Sequence, residues 1–338
     1  MGYKESAHPR KASILIYPAL LLIGFIAGVF GLKFYEDTKK SEDAPREIRT
    51  GGFEYINPLL ECDAAEYMIS APLKPIRNKI SVYIDRLKSE NKIKEASVYY
   101  RNLNNGPWFG VNERLVYNPA SLVKVPMMAA YLKVAETRPE ILDAEVKYEG
   151  EYEDKDNLSD PAKSLNPGES YTVRDLIYKM VAFSDNKALH LSHRYLAENV
   201  DKDLLDKIAL EMDVFSTGAL NADNRLNIKD YSSVFRILYN ASFLNNELSE
   251  SALKLLADSD YDEGLAAVLP PGIKIANKYG VYTVGDNDSE LQLHDCGIIY
   301  AETPYLLCVM TRGDKKNQND MILAIREISR MVYEGIDL

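Results

Sequence analysis

The chain has 338 residues, enough for one large domain or two small ones. Hydrophobic residues make up 46% of it and charged residues 27%, which excludes disorder over the whole chain. Forty Lys and Arg against 51 Asp and Glu leave a net charge of −11, and so acidic a chain repels phosphate backbones and argues against a nucleic-acid partner.

Residues 1–11 carry Lys4, Arg10 and Lys11, and Ala12 to Leu32 contains no charge. Twenty-one helical residues span about 31 Å, close to the thickness of bilayer hydrocarbon, so 12–32 is expected to be one transmembrane anchor. A cleaved signal peptide fits less well, because its apolar region would be unusually long and no A-x-A site follows. Residues 33–75 are expected to form a linker: 33–50 are charged and polar without an apolar period, and 51–75 suggest no element. The main domain is expected over 76–335. It opens with a helical stripe at Ile80, Val82, Ile84 and Leu87. Ala96 to Leu103 reads as a strand, Asn104-Asn105-Gly106 as a hairpin turn, and Pro107 to Val111 as the returning strand. A helix is expected from Ser121 to Ala135. Another begins at Thr172, which with Asp175 forms a capping-box pattern. A third follows Asn186, and a fourth is capped by Asn227 with Asp230. Ile273 to Tyr282, Leu293 to Ala301 and Tyr305 to Thr311 read as strands, and Met321 to Val332 as a terminal amphipathic helix. Strands at both ends of the domain flank a helical middle, so they are expected to close one sheet with helices packed on it and beside it.

The chemistry begins at Ser121-Leu122-Val123-Lys124, a Ser and a Lys three apart on one helix face. A serine is a poor nucleophile until a base takes its proton, and a lysine serves when burial and nearby positive charge lower its pKa. Alone the pattern says little. It recurs at Ser89–Lys92, Ser184–Lys187 and Ser251–Lys254, and a Ser at a helix start is most often only a cap. Context changes its weight. Ser184-Asp185-Asn186 follows at a helix–helix junction, and Lys278-Tyr279-Gly280 follows within a strand. Cys62, Cys296 and Cys308 are too few and scattered for a disulfide scaffold or zinc cluster. His8, His190, His193 and His294 share no metal-ligand spacing, so neither a metal nor a cofactor is expected.

S-x-x-K, S-D-N and K-T-G in this order are a signature of class A β-lactamases and penicillin-binding proteins. With one substitution the chain carries all three, and it resembles a class A β-lactamase-like serine hydrolase over about residues 75–335. The resemblance implies an α+β fold of the β-lactamase/transpeptidase type: an antiparallel sheet with flanking helices and an all-helical subdomain, here behind one N-terminal transmembrane helix. It implies that Ser121 attacks a carbonyl to form an acyl-enzyme and that Lys124 takes or shuttles its proton. Ser184 would relay a proton to the leaving nitrogen, and Asn186 would hold the substrate amide and Lys124. Lys278 would supply positive charge for a substrate carboxylate, with Tyr279, Gly280 and Val281 lining the substrate. The N–H groups of Ser121 and Val281 would form the oxyanion hole. The implied substrates are β-lactams or D-Ala-D-Ala-like peptidoglycan peptides. They lie outside the cytoplasm, which places the N-terminus inside and the domain in the periplasm or at the cell exterior.

The chain departs from the family at three places. Tyr279 stands where a small hydroxyl residue is expected, so carboxylate recognition is altered or the ring points elsewhere. Ser216 to Arg225 holds no Glu to activate a deacylating water, and Asp223 is its only acid, so slow deacylation is expected. A substrate-binding arginine of the family is replaced at the matching position, Cys296. Cys296 and Cys308 are expected on opposite faces of their hairpin, without a disulfide. The alternative to an enzyme is a weak or inactive cell-wall or partner-binding module on the same fold.

Overall fold

A computed structural model of the chain describes residues 24, 26–29, 31, 47–62, 71–104, 106–152, 161–212, 214, 225–284 and 289–336. The chain divides into two compact units, one of residues 1–46 with 62–64 and the other of the remaining residues. Residues 24, 26–29 and 31 of the smaller unit are helical and exposed, but most of the expected anchor, 12–32, lies outside the described residues. Among the described residues no helix is long and apolar enough to cross a membrane.

The larger unit is built on one five-stranded antiparallel sheet. Its strands are β1 (Glu95–Asn102), β2 (Trp108–Val111), β3 (Lys274–Val284), β4 (Glu290–Tyr300) and β5 (Tyr305–Asp314), ordered β2-β1-β5-β4-β3. The two ends of the domain sequence therefore close one sheet, as expected. Helix α1 (Lys74–Ser89) buries Ile76, Ile80, Ile84 and Leu87, a stripe at helical spacing. It packs with α8 (Gln318–Gly335) on one face of the sheet, where Leu293, Leu307 and Val309 meet Ile325 and Ile328. The other face meets the helical subdomain: α2 (Lys124–Ala135), α3 (Val173–Ala182), α4 (Asn186–Asn199), α5 (Leu204–Glu211), α6 (Ile228–Tyr239) and α7 (Asn246–Ala257). Helix α2 runs through the middle. It is buried on nearly all sides from Val125 to Leu132, as a helix apolar all round must be.

The caps explain why the helices begin where they do. Thr172 and Asp175 form a reciprocal capping box at α3. Asp185 accepts from the first amides of α4, and Asn227 accepts from Asp230 N at the start of α6. Helix α7 is an addition to the sequence expectation.

Two expectations are corrected. Cys296 and Cys308 are joined in a disulfide. The last pair of the β4–β5 hairpin is Ile299 with Tyr305, so an odd number of residues turns the corner. Even-numbered residues of both strands then share a face, and Cys296 falls directly opposite Cys308. The linker reading also does not extend over 47–58. The Glu250 carboxylate accepts the amides of Glu54, Tyr55 and Ile56 at 2.9–3.0 Å. Asn57 N donates to Tyr239 O at 2.9 Å, Tyr300 Oη donates to Tyr55 O at 3.0 Å, and Tyr55 and Ile56 are buried. This segment is a strap docked on the helical subdomain. Hydrogen bonds to a charged acceptor are among the stronger ones, so Glu250→Ala should lower unfolding free energy by about 2 kcal/mol in a denaturant titration. An unchanged midpoint would mean that the strap adds nothing to stability.

Candidate active site

Ser121 lies in a 3₁₀ turn, Ala120–Val123, that leads directly into α2, so Lys124 is the first residue of the helix. Ser121 is half-buried and Lys124 has no exposed surface. Ser121 makes no capping bond. Its Oγ accepts instead from Lys124 Nζ at 2.9 Å. The same Nζ lies 2.5 Å from Ser184 O, 3.0 Å from Ser184 Oγ and 2.6 Å from Asn186 Oδ1. An ammonium has only three N–H groups, so four oxygens at this range exceed its donors. An amine without its extra proton has two N–H groups and one lone pair, so it shares these directions too; with that lone pair turned to a hydroxyl, Nζ is placed to take a proton from Ser121 or Ser184. Ser184 reaches Lys124 because its backbone is left-handed (φ +55°), which ends α3 and turns its carbonyl inward. Asp185 holds that junction. Fully buried, it caps α4 with one oxygen and accepts from Leu165 N and Ser164 Oγ with the other.

The turn that bears Ser121 is tied to the sheet. Ala120 is also left-handed (φ +49°), and its N–H donates to Asn118 Oδ1 at 2.9 Å. Asn118 N donates to Gln292 Oε1 at 2.9 Å, and His294 Nε2 lies 3.0 Å from Asn118 O. A carbonyl can only accept, so the His294 proton sits on Nε2. Burial pushes His294 down to about 4, which keeps the ring neutral. Gln292 and His294 were missed by sequence reasoning. Their one signal was two polar residues at alternate positions between the leucines of this strand.

The third motif arrives on β3, the edge strand beside the turn. Gly280 is required there: a Cβ would stand 3.1 Å from Ala120 Cβ and 3.2 Å from Ser121 N. Val281 follows, half-buried. Lys278 pairs across from Cys296, has no exposed surface, and its Nζ finds no hydrogen-bond partner among the described residues. Burial holds its pKa well below the ordinary lysine value. The Lys124 charge lowers it further, while Asp295 and Asp260 pull it back. Tyr279 does not stand in for a hydroxyl: it is buried and stacks on Tyr261 at 4.1 Å between ring centroids.

Ser121, Lys124, Ser184 and Asn186 thus form one bonded cluster. Gly280 backs it, and the charge of Lys124 bears on Lys278. The segment expected to lack a deacylating base, including Asp223, lies outside the described residues except for Arg225. Among the described residues no group of His, Cys, Asp or Glu could hold a metal ion.

Residues 77–336 match the beta-lactamase enzyme family. A search of the curated proteins found no match. Among solved structures, PBP-A is 19% identical with a TM-score of 0.66, covering 78% of this chain and 97% of its own. A mutant of PBP-A, described as an acyl-enzyme complex with penicillin G, is 19% identical with a TM-score of 0.67 over 80% of this chain and 99% of its own. A class A beta-lactamase from Mycobacterium abscessus is 16% identical with a TM-score of 0.61 over 77% of this chain and all of its own. At these identities the likeness is one of fold, and it confirms the α+β fold of the β-lactamase/transpeptidase type.

Two buried groups beside the site titrate in opposition. Burial raises Asp295 from 3.8 to about 6, against the amide bonds it accepts. The folded chain therefore holds this proton more tightly than the unfolded one. That stability is complete below about pH 4 and is lost as pH rises through about 6. His294 is lowered from 6.5 to about 4, so its contribution is complete above pH 6.5 and is lost as pH falls through about 4. Asp295→Asn removes the opposing member. Its stability should rise between pH 4 and 6.5 more steeply than wild type, by up to about 3 kcal/mol in paired denaturant titrations. Parallel curves would contradict this assignment.

Proposed function

Because the chain belongs to the beta-lactamase enzyme family and is a serine β-lactamase-like hydrolase, we propose that it opens β-lactams or D-Ala-D-Ala-like amides through an acyl-enzyme at Ser121. The observation that carries this reading is the 2.9 Å contact between Oγ of the half-buried Ser121 and the amine of the wholly buried Lys124. Ser121 Oγ attacks the carbonyl carbon as its proton passes to neutral Lys124 Nζ. The oxyanion is held by the N–H groups of Ser121 and Val281; in support, a Cβ added at Gly280, the residue before Val281, would stand only 3.2 Å from Ser121 N. Ser184 Oγ, hydrogen-bonded to Lys124 Nζ, carries a proton to the leaving nitrogen. Asn186 orients the amide, and Lys278 attracts the substrate's anionic end. The penicillin acyl-enzyme described for the PBP-A mutant supports a β-lactam as a ligand for this fold.

Deacylation is slow in this reading, because Ser216 to Arg225 contains no Glu to activate water. The uncharged stretch 12–32 supports an uncleaved anchor, with the domain in the periplasm or at the cell exterior. A second reading, a binding module without turnover, is favoured by one observation: Lys278 is sealed from solvent, with the Tyr279 ring against its Nζ.

Fluorescent penicillin and intact mass separate the two. Wild type should gain one covalent adduct that persists over many minutes, and Ser121→Ala none. Lys124→Ala should acylate roughly 10²–10⁴-fold more slowly, the usual weight of a general base. A wild type that stays unlabelled at high probe concentration would overturn the enzymatic reading.

A further inference from the structure

The structure assigns to Tyr261 a role no motif suggests: with Tyr279 it forms a gate over the Lys278 ammonium, and the anionic end of a substrate reaches Lys278 only when the two rings part. This rests on the proposed function for its consequence, but not for its geometry.

The gate is a stack of three groups. Lys278 Nζ lies 4.3 Å from the centroid of the Tyr279 ring. Tyr261 stacks on Tyr279 at 4.1 Å, with an interplanar angle of 20°. Lys278 is 0% exposed and Tyr279 4%, so no anion in solvent touches the amine in this arrangement. The amine nevertheless keeps no hydrogen-bond partner among the described residues, the condition of a group waiting for a ligand. Tyr261 Oη is also buried without a partner, so the ring is held there by stacking and packing rather than by its hydroxyl.

The segment bearing Tyr261 is fastened at both ends. Before it, Asp260 N donates to Ala182 O at 3.1 Å, two residues ahead of Ser184, and Asp260 Oδ2 pairs with Lys163 at 2.9 Å. After it, Leu265 N donates to buried Asp295 Oδ2 at 2.8 Å. Gly264 fits against that carboxylate where any Cβ would collide with Oδ2. Asp295 is in turn fixed by Asn277 Nδ2 at 2.9 Å, one residue from Lys278. The segment 260–265 thus spans from the end of α3 to the sheet and lays one ring across the face of another. A cation against an aromatic ring is attracted while closed, and the pair stays shut until a carboxylate offers more.

The consequence is a tax on association. If only the parted state binds, the apparent rate of acylation by an anionic substrate falls by the fraction of time the gate is open. Removing Tyr261 should raise that fraction by the weight of one aromatic pair, about 2- to 10-fold.

The test reads Lys278 itself. Wild type, Tyr261→Ala and Tyr261→Phe are treated briefly with a small amine-acylating reagent, and modification of Lys278 and Lys124 is quantified by peptide mapping. The gate predicts slow Lys278 modification in wild type and Tyr261→Phe, and about 2- to 10-fold faster modification in Tyr261→Ala, with Lys124 unchanged. Equal Lys278 rates in wild type and Tyr261→Ala would overturn the gate. If Lys124 accelerates alongside Lys278, the alanine variant has lost its fold. Tyr261→Leu, which keeps apolar volume without a ring, then decides by the same criterion. Fluorescent penicillin applied to the same samples should acylate the opened variant faster by a similar factor. Failure of every sample to take penicillin sinks the acyl-enzyme reading, while the Lys278 map still judges the gate.

Discussion

A lysine amine with no exposed surface persists in a fold only when its hydrogen-bonding groups are met or its charge is given up. Lys124 is surrounded by four oxygens from three residues, and the neighbouring elements are arranged to deliver them. The 3₁₀ turn ahead of α2 places Ser121 one turn before the amine. A left-handed Ser184 ends α3 and turns its carbonyl inward, and Asp185 starts α4 so that Asn186 falls at its first position. The all-round burial of α2 keeps water from the amine, which raises the worth of each contact.

Lys278 is the contrasting case. Its amine lies in the same interior but meets no acceptor among the described residues, and its proton affinity is depressed by burial and by the charge at Lys124. Such a group costs stability in the resting protein. Two hydrophobic cores, one on each face of the sheet, supply the surplus that lets it remain. Asp295 and His294 show the same pattern, because burial disfavours the charged form of each.

The features legible in the sequence were local. The capping box at Thr172, the Asn227 cap, the apolar stripe of α1 and the period of the terminal helix all depend on residues within a few positions of one another. So did the Ser–Lys spacing, although four copies of it occur. Ser89 turns its hydroxyl back to Arg86 O at a helix end, and Ser251 with Lys254 is exposed on α7. Only Ser121 sits where a helix start meets the edge strand. What stayed hidden depends on register and on long-range pairing. The disulfide followed from the number of residues in one turn. The path from His294 through Asn118 to Ala120 joins positions more than 170 apart. The docking of 54–56 rests on one carboxylate nearly 200 residues away. Tyr261 lies in a segment without a motif and gains its meaning only from Tyr279 beside it.

Whether Ser121 and Lys124 act as nucleophile and base in one cleft is decided by a crystal structure of the protein after exposure to a β-lactam. Electron density should run continuously from Ser121 Oγ to the opened ring's carbonyl carbon, with that carbonyl oxygen between the N–H groups of Ser121 and Val281 and Lys124 Nζ still beside Oγ. An adduct on any other residue, or a ligand bound in the cleft with its ring intact at full occupancy, would contradict it.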